Sequence, residues 1–229
     1  KIDRPRLSRK ALSKAEIESL ARGYSTCTSE LRSEVIGAWD FHANITKNIA
    51  STFIVDTTSN HQNGFIINLP CRGMTGYNWT ADDIVYHHKP EEYGAIHFHD
   101  DDIDDARWEV DFTFDVPNPI KSGVYAARLR INGEDSPETE DFVPFVIKPP
   151  KGKTTSKLLF VLPSNSYMAY SNDNLGTNSV VAQLLAGKVP VLAASDLYLN
   201  EHREYGLSTY SLHSDGSGVC YSSRLRPIL

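Results

Sequence analysis

The chain has 229 residues, enough for one large domain or two modest ones, and its 40% hydrophobic content can fill a core. A net charge of -6 supplies no basic face for a phosphate backbone, so nucleic acid is not expected as a partner. No apolar run approaches a membrane span, the opening Lys1-Ile2-Asp3-Arg4-Pro5-Arg6 is not a signal peptide, and Cys27, Cys71 and Cys220 include no CxxC pair for a structural zinc. A few scattered cysteines fit a reducing, cytoplasmic setting. The first residue is not methionine and Arg224-Leu225-Arg226-Pro227-Ile228-Leu229 has no polar tail, so both ends read as internal to a longer chain.

The first 22 residues begin with a strand-like piece, Lys1 to Leu7, and continue into a helix. Ser13 is a good N-cap and Glu16 stands three residues on, which makes a capping box; Leu12 and Ile17 occupy staple positions, and Gly23 suits the C-terminal end. Residues 23–150 read as β-rich. The runs Ala50–Val55, Gly64–Leu69 and Val110–Phe114 are short and bounded by turn residues. Gly123 to Ile131 alternates as a half-buried strand should. Asn132-Gly133 then gives a hairpin signal, with Phe142 to Ile147 as the returning strand. A β-sandwich-like domain is the economical reading.

Pro149-Pro150-Lys151-Gly152-Lys153-Thr154-Thr155 is a linker. Beyond it, Leu158 to Leu162 is a continuous apolar run that suits a strand buried on both faces. A Tyr-rich loop, Ser164 to Asn178, and a helix from Ser179 to Ala186 complete a strand-loop-helix unit, the opening of an α/β domain over residues 151–229. Ligands in such sheets bind beyond the carboxyl ends of strands, which makes the Tyr-rich loop the place to look for a site.

Four groups of residues could carry chemistry. His97 and His99 would share a strand face and could begin a metal site, with His87 and His88 nearby in sequence; polar residues on a rim are the simpler account. Asp100, Asp101, Asp102, Asp104 and Asp105 could hold calcium but lack the EF-hand spacing, and a solvated turn is the simpler account. Gly218-Val219-Cys220-Tyr221-Ser222 distantly resembles a nucleophile elbow, with no apolar strand before it, so a buried or inert cysteine is preferred. Tyr167, Tyr170, Tyr198, Tyr205, Tyr210 and Tyr221 offer phenolate oxygens suited to ferric iron; by spacing alone, aromatic packing accounts for them.

Five longer runs add to this: Gly64–Trp79, Tyr93–Trp108, Ser122–Arg130, Leu159–Asn172 and Asn200–Pro227. Together they resemble the N,N-dimethylformamidase large (β) subunit family over nearly the whole chain. The resemblance implies that residues 1–22 end a laminin-G-like (concanavalin-like) sandwich and that 151–229 are the N-terminal, truncated part of a domain similar to class I glutamine amidotransferases. It further implies an amidohydrolase that converts N,N-dimethylformamide to dimethylamine and formate. Its partner would be a small second subunit in a hetero-oligomer. The implied cofactor is a mononuclear ferric iron held by two tyrosines and a glutamate. Tyr170, in Met168-Ala169-Tyr170-Ser171-Asn172, matches the first tyrosine motif, with Tyr167 as its competitor. Tyr210, in Leu207-Ser208-Thr209-Tyr210, matches the second. The glutamate is expected beyond residue 229, no acid or base can be assigned here, and these 229 residues alone are expected to be inactive. A related hydrolase of another small amide, or a non-catalytic β-sandwich binding module, are the alternatives.

Overall fold

The computed structural model of the chain describes residues 1–131, 140–154, 156–173, 184, 187 and 191–228. They fall into two compact units, Lys1–Arg107 with Ser164–Leu229, and Trp108–Pro163.

The first unit begins with short strands β1 (Ile2–Asp3) and β2 (Arg6–Ser8), then helix α1 (Lys14–Arg22). Helix α1 starts where the capping box predicts: the Ser13 hydroxyl accepts from the Glu16 N–H, and the Glu16 carboxylate accepts from the Ser13 N–H at 2.7 Å. Gly23, at φ +144°, ends it, and its N–H returns to the Leu20 carbonyl. Helix α2 (Ser29–Glu34) is capped by Thr28 and runs straight into β3 (Val35–Ala38), which pairs antiparallel with β2. Strands β4 (Phe53–Ile54) and β5 (Gly64–Phe65) make a second small pair, at the places of the Ala50 and Gly64 runs but shorter.

Strand β7 (Ala95–His97) is the centre of a three-stranded antiparallel sheet, between β1 and β6 (Cys71–Met74). The β6–β7 register shifts between Cys71 and Met74, and Gly73 stands there at φ +68°, as a bulge requires. Phe41, Ile54 and Ile96 form the core beneath, with Trp39 and Ile66 packed against them. Two buried charges organise the loops around this core. Arg72 donates to the carbonyls of Phe41 at 2.9 Å, Ile49 at 3.3 Å and Ser51 at 2.6 Å. Asp56 accepts from the N–H groups of Ala38, Thr58 and Gln62 and from the Thr58 hydroxyl, all at 2.7–3.0 Å. Burial alone would raise the Asp56 pKa, but these donors outweigh it and hold the carboxyl below its ordinary value.

In the second part of this unit, helix α3 (Ser164–Tyr170) occupies the first half of the expected Tyr-rich loop. Ser164, after Pro163, begins it, and the Met-Ala-Tyr sequence that follows contains nothing that breaks a helix. Helix α4 (Ala194–Glu201) and a 3-10 turn at Arg203–Tyr205 lead into an irregular C-terminal segment.

The second unit is dominated by a hairpin of β8 (Gly123–Arg130) and β9 (Glu140–Ile147), paired from Gly123↔Ile147 to Arg130↔Glu140. Tyr125 and Phe145 lie opposite each other and their rings stack at 6.0 Å. Val110–Phe114 forms no strand, and its large side chains are exposed. The Leu158–Leu162 run also differs from its expectation: it is not a strand, and Leu158 is 88% exposed. An apolar run becomes a buried strand only with a neighbour on each side, and among the described residues nothing pairs with it. The Asn132-Gly133 turn and, apart from Leu184, the Ser179–Ala186 helix lie outside the described residues.

Candidate functional site

The first unit assembles two constellations that the linear sequence holds apart. The first is a pair of tyrosines. Tyr170 ends α3 and Tyr210 lies on the C-terminal segment, yet their rings stack at 4.1 Å with only 12° between planes. The hydrogen bond from Tyr210, and then the charge Tyr210 would carry, push the Tyr170 phenol above its ordinary pKa. Both rings are half-exposed, Tyr170 at 52% and Tyr210 at 45%.

Backbone contacts create this meeting. The Thr209 N–H and hydroxyl both donate to the Ala169 carbonyl, each at 3.1 Å, so the residues just before the two tyrosines are tied together. Arg226 closes the same end of α3. It is buried, at 5% exposure, and donates to the carbonyls of Met168 and Ser171 at 2.9 Å each, and to that of Ser223. A cation is favourable there because the last carbonyls of a helix lack intrahelical partners. Asn172, at φ +63°, donates to the Pro227 carbonyl at 2.7 Å and fastens the same junction. Gly206 makes room for Arg226: at φ +93°, an added Cβ would come within 2.8 Å of the Arg226 Cδ.

Tyr167, the competitor of Tyr170, is on the same helix but exposed; its carbonyl accepts from Ser171. Tyr198 and Tyr205 pair with each other, hydroxyl to hydroxyl at 3.0 Å. Tyr221 is partly buried, which raises its pKa.

The second constellation gathers histidines and carboxylates. Strand β7 delivers His97, and His99 follows two residues on; their rings lie 4.1 Å apart. His213 comes from the C-terminal segment and stacks flat on His99, with centroids 3.6 Å apart and 1° between planes. His97 Nε2 is 2.9 Å from an Asp215 carboxylate oxygen, and His99 Nε2 is 3.8 Å from the same oxygen. Asp102 accepts from the His99 backbone N–H at 2.8 Å and lies 3.3 Å from His99 Nδ1. Asp101 faces His213 Nδ1 at 2.5 Å and accepts from Arg203 at 2.9 Å. The His213–Gly218 turn closes on itself: Leu212 bridges to Gly218, and the Ser217 N–H and hydroxyl donate to Asp215. Those Ser217 bonds hold the Asp215 carboxyl down to about 2.

The acidic run is thus not a solvated turn throughout. Asp101 and Asp102 are turned inward onto histidines, while Asp100 accepts from Ser214 at 2.7 Å and Asp105 from the Arg107 N–H. His87 and His88 stay outside the cluster, with His88 on Asp83 at 2.8 Å and His87 against the Tyr86 ring. Sequence reasoning missed His213, Asp215, Ser217 and Arg203. The one available signal was the His-x-Asp spacing of His213–Asp215, which repeats the two-residue step of His97–His99. Among the described residues no helix follows Cys220, as an elbow would need, and Cys220 is exposed rather than buried. Burial, and then the neighbouring Cys220 thiol, push the Cys71 thiol up to about 12, so it is neutral at ordinary pH.

Comparison with known proteins places the chain. Residues 71–229 match the family described as N,N-dimethylformamidase beta subunit-like, C-terminal. The chain belongs to that family. It is also 40% identical, over its whole length, to the N,N-dimethylformamidase beta subunit of an Alcaligenes species and to that of Paracoccus aminophilus. It spans 29% of the length of each of these relatives. The matched region contains both constellations, Tyr170 with Tyr210 and the histidine cluster. No helix among the described residues is long and apolar enough to cross a membrane.

Proposed function

We propose that this chain is part of the large subunit of an iron-dependent amidohydrolase that converts N,N-dimethylformamide to dimethylamine and formate, and that Tyr170 and Tyr210 are two of the iron ligands. The observation that carries this reading is the pairing of those phenols by the Thr209–Ala169 tie. The donor set fits the metal: two phenols with stacked rings offer hard oxygen donors that suit ferric iron, and Tyr210 raises the cost of ionising Tyr170 until a cation offsets it. The resemblance assigns the third ligand to a glutamate beyond residue 229, within a glutamine amidotransferase-like domain that residues 151–229 begin. A bound ferric ion would supply Lewis acidity toward the amide carbonyl and lower the pKa of a bound water.

The chain's own residues then have definable tasks. Tyr170 and Tyr210 hold the metal with their phenol oxygens. Thr209 and Arg226 fix the end of α3 so that the two rings stay adjacent. Dimethylformamide is a tertiary amide with no N–H to donate, so its pocket needs an apolar wall and few polar groups. A small second subunit is the proposed partner, in a hetero-oligomer of the two.

Metal content and visible absorption of the full-length protein test this. Tyrosinate-to-iron charge transfer should colour the wild type, and Tyr210→Phe should lose both the colour and the iron. A colourless, iron-free wild type that still hydrolyses dimethylformamide would overturn the assignment.

A further inference from the structure

We infer that His97, His99 and Asp215 form a second metal site, for a divalent transition cation of the zinc type, from side chains that share no member with the tyrosine pair.

The donor atoms carry the case. One ring nitrogen of His97, one of His99 and an Asp215 carboxylate oxygen all lie within 4.8 Å of one another. Zinc bonds nitrogen and oxygen at about 2.0–2.2 Å, so tetrahedral geometry sets neighbouring donors about 3.3–3.6 Å apart. The separations from Asp215 to the two imidazoles, 2.9 and 3.8 Å, bracket that spacing. Shifts of about 0.5 Å, within the reach of side-chain rotation, would equalise them. Two imidazoles and one carboxylate form a borderline set that suits zinc better than calcium or magnesium, which want oxygen alone.

The surroundings orient the ligands as metal sites do. Asp102 is pinned by the His99 N–H and faces His99 Nδ1. A proton on Nδ1, shared with Asp102, would leave the Nε2 lone pair for a metal, at a point 2.9 Å from the Ser217 hydroxyl oxygen and 3.8 Å from the Asp215 carboxylate. This carboxylate–histidine arrangement is the one that fixes tautomer and ring angle in metal centres. His99 is only 3% exposed in its side chain and is backed by the flat face of His213, itself held by Asp101 and Arg203. The ring therefore has little freedom to turn. Asp215 is half-exposed and opens the fourth position to solvent, with the Ser217 hydroxyl 2.9 Å from His99 Nε2 beside it. A site with three protein ligands and one open position is the type that activates water, not the closed structural type.

The test uses the full chain, stripped with a chelator, dialysed, and titrated with zinc and with cobalt(II). Wild-type protein should take up stoichiometric zinc, and cobalt should give the visible absorption of a four- or five-coordinate ion. His99→Ala and Asp215→Asn should each abolish stoichiometric uptake. Asp102→Asn should weaken affinity roughly 10–100-fold. His88→Ala and Tyr210→Phe should leave zinc unchanged, so a failed iron assignment would not touch this one. Circular dichroism identifies variants that fail to fold; Asp215→Asn, changed at an exposed position, keeps the test valid if His99→Ala is among them. Wild type that takes up no zinc, uptake unchanged in Asp215→Asn, or uptake lost in Tyr210→Phe would each overturn the site.

Discussion

Replacing Arg226 with methionine should loosen the end of α3 and disturb the tyrosine pair. The guanidinium donates to three carbonyls, those of Met168, Ser171 and Ser223, from a position that is 5% exposed. Hydrogen bonds from a charged donor contribute about 1.5–3 kcal/mol each, so their loss alone sums to roughly 4.5–9 kcal/mol. Removing a buried cation also relieves its desolvation cost, several kcal/mol, and methionine retains most of the apolar stem. The net loss should be about 2–4 kcal/mol, or roughly 5–15 °C in melting temperature for a protein of this size. Arg226→Lys keeps the charge but cannot span the acceptors as a planar fork does, and should fall between. Thermal denaturation followed by circular dichroism measures the loss. Hydrogen exchange locates it: the Ser171 N–H, bonded to the Tyr167 carbonyl, and the Thr209 N–H, bonded to Ala169, should exchange faster. An Arg226→Met protein with wild-type melting and unchanged protection at Ser171 and Thr209 would refute the reasoning.

Two other changes probe the framework. Asp56→Ala orphans the buried N–H groups of Ala38 and Thr58, each costing about 1–3 kcal/mol, so a destabilisation of about 2–6 kcal/mol is expected by urea denaturation. The pH dependence has a definite sign. The folded pKa of Asp56 lies below its ordinary value, so its contribution is complete above the unfolded value, about 3.9, and fades as pH falls through the folded one. The gap between wild type and Asp56→Asn should therefore narrow below about pH 4, and a gap that widens there would contradict the assignment. Gly206→Ala places a Cβ 2.8 Å from Arg226 Cδ at a φ of +93°, and should cost about 1–3 kcal/mol while displacing Arg226. A melting temperature unchanged by Gly206→Ala would mean that Arg226 is not held against that glycine.

The sequence by itself determined the features that depend on neighbours in the chain. Helix α1 begins at Ser13 because Ser13 and Glu16 satisfy each other's backbone donors within four residues. The β8–β9 ladder follows from the alternation of Gly123 to Ile131 and its returning partner. The Leu158–Leu162 run shows where such reasoning stops, since its composition calls for a buried strand but burial needs neighbours that composition does not supply. The tyrosine-rich segment was legible as a place of interest, and the resemblance singled out Tyr170 and Tyr210. Their contact is decided by Thr209 and Arg226, which reach α3 from 40 and 55–58 residues away. The histidine cluster was only half legible. His97 at the end of β7 and His99 just after it advertise themselves, but His213, Asp215 and Ser217 lie more than 110 residues further along. Which polar groups meet over such a separation depends on the path of the chain and on the bonds that close it, and local periodicity carries no record of either.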